Sequence, residues 1–129
     1  MKLKILVVCA KGLNRSKYLA SYLKNKGYLT RYGGVEGFFP NEEAPNPIDQ
    51  KDVDWADIII IVRRRLKAIF HKKFKSGDKR FVVLDITDSK KLLPKEYSYL
   101  KDSSEREFDR KWRRPKLREA IKSYLPLKK

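Results

Sequence analysis

The chain contains a single cysteine, Cys9, followed six positions later by Arg15 and then by Ser16. Ala10, Lys11, Gly12, Leu13 and Asn14 lie between them. A thiol attacks as its thiolate, which is scarce at neutral pH for a free cysteine with a pKa of about 8.5. Backbone N–H groups, the positive end of a helix and a guanidinium all favour such an anion, and all three also bind phosphoryl oxygens. Arg15 brings a planar fork suited to bidentate phosphate contact. Ser16 can donate its hydroxyl to the sulfur, favouring the thiolate and later its departure. Gly12 allows the tight turn that a loop around a tetrahedral anion needs. Asn14 is expected to brace the loop through side-chain to backbone hydrogen bonds, and Lys11 to meet substrate or add to the positive field. This is the equipment for nucleophilic attack on a phosphate ester.

A cysteine after an apolar strand often serves only as a small core residue, and the bare C-x5-R spacing is weak. Its weight comes from the flanking elements. Leu3–Val8 is an apolar run, read as a strand buried on both faces. Ser16–Lys26 places Tyr18, Leu19, Tyr22 and Leu23 at helical spacing, with Gly27 as its C-cap. A strand–turn–helix junction collects unpaired N–H groups at the point where the thiol stands. Further on, Leu29–Tyr32 reads as a short strand. Residues 33–50, with three glycines and three prolines, read as a long loop. Asp57–Val62 reads as a buried strand, Arg64–Phe74 as an amphipathic helix, and Ser76-Gly77-Asp78 as a turn into strand Phe81–Leu84. A last helix is expected from Ser104 towards Tyr124, interrupted near Pro115.

Strands separated by helices predict an α/β domain with a parallel sheet, right-handed crossovers and three flavodoxin-like layers. Ligands of such sheets bind at the carboxyl ends of the strands. Cys9 ends the first strand, Asp85 ends the fourth, and Asp88 follows shortly. An acid is needed there to protonate the leaving oxygen and then to activate water.

The segment from Lys4 through Cys9 to Arg15-Ser16 resembles the phosphate loop of the low-molecular-weight protein tyrosine phosphatases and their archaeal and bacterial relatives. Tyr28–Val35 is similar to that family's second strand and its glycine exit. Asp54-Trp-Ala-Asp-Ile-Ile-Ile-Ile-Val62 resembles its W-A-D strand segment, and Leu84-Asp-Ile-Thr-Asp88 its D-I-P-D stretch. The likeness spans about residues 3–90. It implies a phosphotyrosine phosphatase I fold of α/β/α layers around a four-stranded parallel sheet in the order 2-1-3-4. It also implies a phosphocysteine intermediate on Cys9, phosphate binding by residues 10–16, and Asp88 as the general acid with Asp85 in reserve. Gly12 stands where the family usually carries Asn. Asn14-Arg15-Ser16 resembles the ending found in phosphatases of the RNA polymerase II tail. The second loop cysteine of many eukaryotic members is absent, and Ser89-Lys90 replaces the Pro-Tyr that commonly follows the acid.

The 129 residues suit one domain, residues 1–129, with 41% hydrophobic residues. No apolar run approaches the roughly 18 residues of a membrane span, and the start of the chain lacks a signal-peptide pattern. One unpaired cysteine argues for a reducing cytoplasm, and one Cys with one His makes a poor metal set. No metal or cofactor is expected. The lone thiol also argues against a thiol-relay arsenate reductase, and the Arg-Ser ending against a sugar-transport phosphocarrier. The net charge is +16, from 32 basic against 16 acidic residues. The basic residues cluster in Arg63–Lys75 and Arg110–Arg118, a pattern that attracts polyanions. The function expected is hydrolysis of phosphate monoesters, with phosphotyrosine protein as substrate. The alternative is a non-catalytic module that binds anions or nucleic acid through the same loop. Tyr32, Phe38 and Phe39 are candidate cleft walls, His71 a surface residue, and Trp55 a core one.

Overall fold

The apolar run at the head of the chain becomes an inner strand of a four-stranded parallel sheet, in a computed structural model that describes residues 2–86 and 90–129. Strands β1 (Lys4–Cys9), β2 (Leu29–Gly34), β3 (Ile58–Ile61) and β4 (Arg80–Val83) stand in the order β2-β1-β3-β4. Every neighbouring pair is parallel. The expected strand order and layering are both borne out.

Side chains of β1 alternate between two cores. Ile5, Val7 and Cys9 face Leu19 and Leu23 of α1 (Arg15–Asn25) and Leu117 and Ile121 of α5 (Arg114–Lys122). Leu6, Val8 and Ala10 face Val53 of α2 (Gln50–Trp55) and Leu66 and Phe70 of α3 (Leu66–Lys73). Covering both faces is what makes the strands read as unbroken apolar runs rather than alternating ones. Ile58 to Ile61 are all fully buried, and each such side chain contributes roughly 1.5–3 kcal/mol of burial.

Local chemistry sets the boundaries of the helices. Helix α1 ends where Gly27 takes φ +102°, its N–H donating to Lys24 O while Tyr28 N–H donates to Leu23 O. This paired closure needs the left-handed conformation that glycine tolerates. Helix α2 fills the stretch between the loop expected over 33–50 and the strand expected from Asp57, where the sequence assigns no element. Its start is a reciprocal cap: Asp52 N–H donates to the Asp49 carboxylate, and Asp49 N–H to that of Asp52, both at 3.0 Å. Six residues are too few for periodicity to register, and Asp stands where Glu or Gln marks the usual capping box.

The C-terminal helical region falls close to where it is expected, as α4 (Glu105–Phe108), a π-helical turn (Asp109–Arg113) and α5. The interruption near Pro115 takes the form of that π turn, in which Arg114 N–H reaches back five residues to Asp109 O. Pro115 has no N–H to continue the regular ladder. The 3₁₀ turns Lys90–Leu92 and Lys95–Asp102 carry Leu93 and Leu100 into a small cluster with Phe108 and Trp112. Among the described residues, no helix is long and apolar enough to cross a membrane.

Candidate active site

Cys9 is the last residue of β1, and the loop after it curls back over the sulfur. Gly12 N–H donates to Cys9 Sγ at 3.1 Å, and Ser16 Oγ lies 3.1 Å from the same atom. At that separation a thiol donates to the hydroxyl, or the hydroxyl donates to a thiolate. Cys9 and Ser16 are buried.

The loop turns its carbonyl oxygens outward. Ala10 O accepts from Val35 N–H (2.9 Å) and Glu36 N–H (3.0 Å), Lys11 O from Asn46 N–H (3.2 Å), and Gly12 O from Asn46 Nδ2 (3.1 Å). Three successive carbonyls are thus engaged from outside, while the Gly12 N–H faces the sulfur. Gly12 takes φ +79°, and a Cβ there would lie 2.3 Å from Asn46 O. Gly34, on the neighbouring strand, is equally constrained: a Cβ would lie 2.4 Å from Ala10 O and from Lys11 C. Asn46 and Gly34 are the positions in contact with the loop that sequence reasoning missed. The available signals were the Gly33-Gly34 pair and an asparagine set between Pro45 and Pro47.

Arg15 opens α1 and is buried, with Nη1 donating to Ile86 O at 2.8 Å. Ile86 is placed in turn by its own N–H to Val62 O (3.0 Å). The guanidinium is therefore positioned by the chain leaving β4, more than seventy residues away in sequence. Asn14 acts differently from expectation. Its amide accepts from Arg113 Nη1 at 2.8 Å and donates to Asp109 Oδ1 at 3.1 Å, the orientation that satisfies both partners. It ties the loop to the π turn, and the bracing of loop carbonyls falls to Asn46.

Lys11 is drawn away from the loop interior. Its ammonium donates to Gly37 O, lies 3.8 Å from Glu36 and sits 5.2 Å from the Phe38 ring centroid. Glu36 receives both arms of Arg65, at 2.6 and 3.2 Å. These hydrogen bonds hold its carboxyl below the ordinary value of 4.5 despite partial burial, with Lys11 and Lys73 adding attraction. Phe38 and Phe39 are exposed and, with Lys11, line an open cavity of about 430 Å³ beside the loop. Tyr32 is exposed on β2, paired with Val7 of β1, and Trp55 is half-buried with the Arg31 guanidinium 4.3 Å from its ring centroid. His71 is an exposed residue packed against Phe70 and Phe81.

Of the two acid candidates, Asp85 accepts from Arg64 N–H (3.3 Å) and lies 3.6 Å from Arg63 Nε, so its carboxylate is engaged with the segment after β3. Asp88, like Thr87 and Ser89, lies outside the described residues.

No protein-family model and no curated protein sequence matches the chain. Solved structures do. A low molecular weight phosphotyrosine phosphatase from Vibrio cholerae O395 aligns with a TM-score of 0.62 at 19% identity, over 96% of this chain and 97% of its own. A low molecular weight protein tyrosine phosphatase from Bacillus subtilis aligns at 0.52 and 16%, over 94% and 98%. The serine phosphatase of the RNA polymerase II CTD from Drosophila melanogaster aligns at 0.50 and 16%, over 95% and 94%. The chain thus has the flavodoxin-like fold of the low molecular weight phosphotyrosine phosphatases. That fold sets its single cysteine at the carboxyl edge of the sheet.

Proposed function

We propose that the protein is a cysteine-dependent phosphatase that hydrolyses phosphate monoesters, phosphotyrosine in proteins among them, without a cofactor. The observation that carries this reading is Cys9 Sγ, 3.1 Å from both Gly12 N–H and Ser16 Oγ, inside a loop whose carbonyls are held outward. The names of the structural neighbours point the same way.

In the proposed cycle, Cys9 thiolate attacks phosphorus in line while inward loop amides and the Arg15 guanidinium bind the non-reacting oxygens. The P–O ester bond breaks and the leaving oxygen takes a proton from a carboxylic acid. The resulting carboxylate removes a proton from water, which attacks phosphocysteine and breaks the S–P bond. Ser16 donates to the departing sulfur. Asp88 is the acid favoured here, with Asp85 in reserve because Arg63 and Arg64 already hold its carboxylate.

Kinetics on p-nitrophenyl phosphate test the assignment. Cys9→Ser and Arg15→Ala are expected to abolish measurable turnover. Asp88→Asn is expected to lower kcat by about 10²- to 10⁴-fold on esters with poor leaving groups. Vanadate should inhibit the wild type. Undiminished turnover by Cys9→Ser sinks the proposal. Salt-sensitive nucleic-acid binding without turnover would favour the non-catalytic alternative.

A further inference from the structure

Beside the phosphate loop lies a second cavity of about 390 Å³ lined by Leu13, Asn14, Lys17, Tyr18, Ser21 and Arg114. Two of its walls are loop residues, so whatever enters it touches the same loop that holds Cys9. None of the six is acidic. Lys17 and Ser21 are exposed on successive turns of α1, four residues apart and on one face. Arg114 crosses from α5, its guanidinium 5.1 Å from the Tyr18 ring centroid and its Nε donating to Asp109 Oδ2 at 2.7 Å. Arg118 Nη1 donates to Tyr18 Oη at 2.7 Å, which fixes the floor. Asp109 also holds the Asn14 amide at 3.1 Å, so one carboxylate sets both Arg114 and the loop wall.

The charge count across this corner is one-sided. Asp109 offsets Arg114, while Lys17 has no carboxylate partner among the described residues and Arg118 meets a phenol. The first turn of α1 holds no acidic residue, so its positive end is uncompensated there. An ammonium, a hydroxyl and a guanidinium around one hollow match a group with charge near −2 and three acceptor oxygens.

We propose that this cavity is a subsite for a second phosphoryl group, so that the preferred substrates carry two phosphates, one at Cys9 and one between Lys17 and Arg114. This rests on the phosphatase reading above and names the substrate class for it. The second phosphate is bound and not cleaved. Such a group is supplied either by a doubly phosphorylated peptide or by a small bisphosphate ester.

The test compares kcat/KM for a singly phosphorylated tyrosine peptide, the same peptide with a second phosphate one to three residues away, and the same peptide with Glu in that place. An aryl monophosphate and an aryl bisphosphate form the small-molecule arm. Wild type is expected to prefer the doubly phosphorylated form by about tenfold, the size of one charge-assisted contact. Lys17→Glu and Arg114→Gln should bring that ratio close to one. A preference in the peptide arm alone identifies protein as the source, and in the aryl arm alone a small ester. A ratio of one in wild type, a ratio untouched by Lys17→Glu, or an equal gain from Glu overturns the proposal. Calorimetric binding of the peptides to Cys9→Ala protein reads the subsite without chemistry. If p-nitrophenyl phosphate is not turned over but the binding ratio holds, the phosphatase reading falls and the subsite stands.

Discussion

Replacing Gly34 by alanine tests whether the loop after Cys9 is held from outside. Gly34 belongs to β2 and touches no reacting atom, and its φ is not among the positive ones, so a strand accepts alanine there. The added Cβ, however, would lie 2.4 Å from Ala10 O and Lys11 C and 2.6 Å from Gly12 N, where ordinary contact begins near 3.4 Å. All three atoms are backbone, so no side chain can swing aside, and the loop must retreat by about 1 Å. Val35 and Glu36 N–H pull on Ala10 O from the same strand exit, so the displacement is transmitted to the amides around Cys9. A misplacement of that size costs on the order of 10²-fold in rate, and overpacking of backbone costs about 1–3 kcal/mol in stability. The variant should therefore remain folded by circular dichroism, melt roughly 3–10 °C lower, and lose about 10²-fold in kcat/KM with matching loss of vanadate affinity. Gly27→Ala is the control. Its φ of +102° strains alanine, but nothing lies within 4 Å of the new Cβ, so stability falls by about 1–2 kcal/mol while kcat/KM is retained. Should Gly34→Ala keep kcat/KM within about threefold of wild type, the loop is not clamped as argued.

Arg113 is buried, pairs with Glu105 at 2.8 Å and Asp109 at 3.9 Å, and stacks 4.7 Å from the Phe108 ring centroid. Arg113→Ala should cost about 1–3 kcal/mol in urea unfolding, less than a fully buried pair because Glu105 is largely exposed; a loss below about 0.5 kcal/mol would assign the network no structural weight. Glu36 makes a pH prediction. Its folded pKa lies below the unfolded value of 4.5, chiefly through Arg65, so the ionised pair stabilises the fold above that value, and the contribution is lost as pH falls through the lowered one. Arg65→Gln should be less stable than wild type at pH 7 and should converge with it in strongly acid solution, followed by urea midpoints; a gap that persists unchanged in acid contradicts the assignment.

The strands, the loop and the layer order were legible because their signals are local. Ile58–Ile61 must be buried on both faces, Gly27 must cap a helix, and a thiol, a glycine, an arginine and a serine crowd one strand–helix junction. Helix α2 was not legible, because its cap uses two aspartates and its length defeats periodicity. Nor were the partners of the loop. Asn46, through its side-chain amide, and Gly34, through the close approach of its backbone, serve it over 34 and 22 residues of sequence, and the Gly33-Gly34 pair and the asparagine between two prolines do not by themselves say what they meet. Asn14 was placed in the loop correctly, yet its side chain turns to Asp109 and Arg113, because the π turn brings a carboxylate and a guanidinium within reach. Residue types and their order thus decide that a thiol, an arginine and a serine meet at one strand–helix junction. Which groups hold that site in shape, and that a cationic hollow adjoins it, follows only once parallel pairing sets β2 beside β1 and α5 packs across α1. Those contacts depend on separations in space that the chain order does not encode.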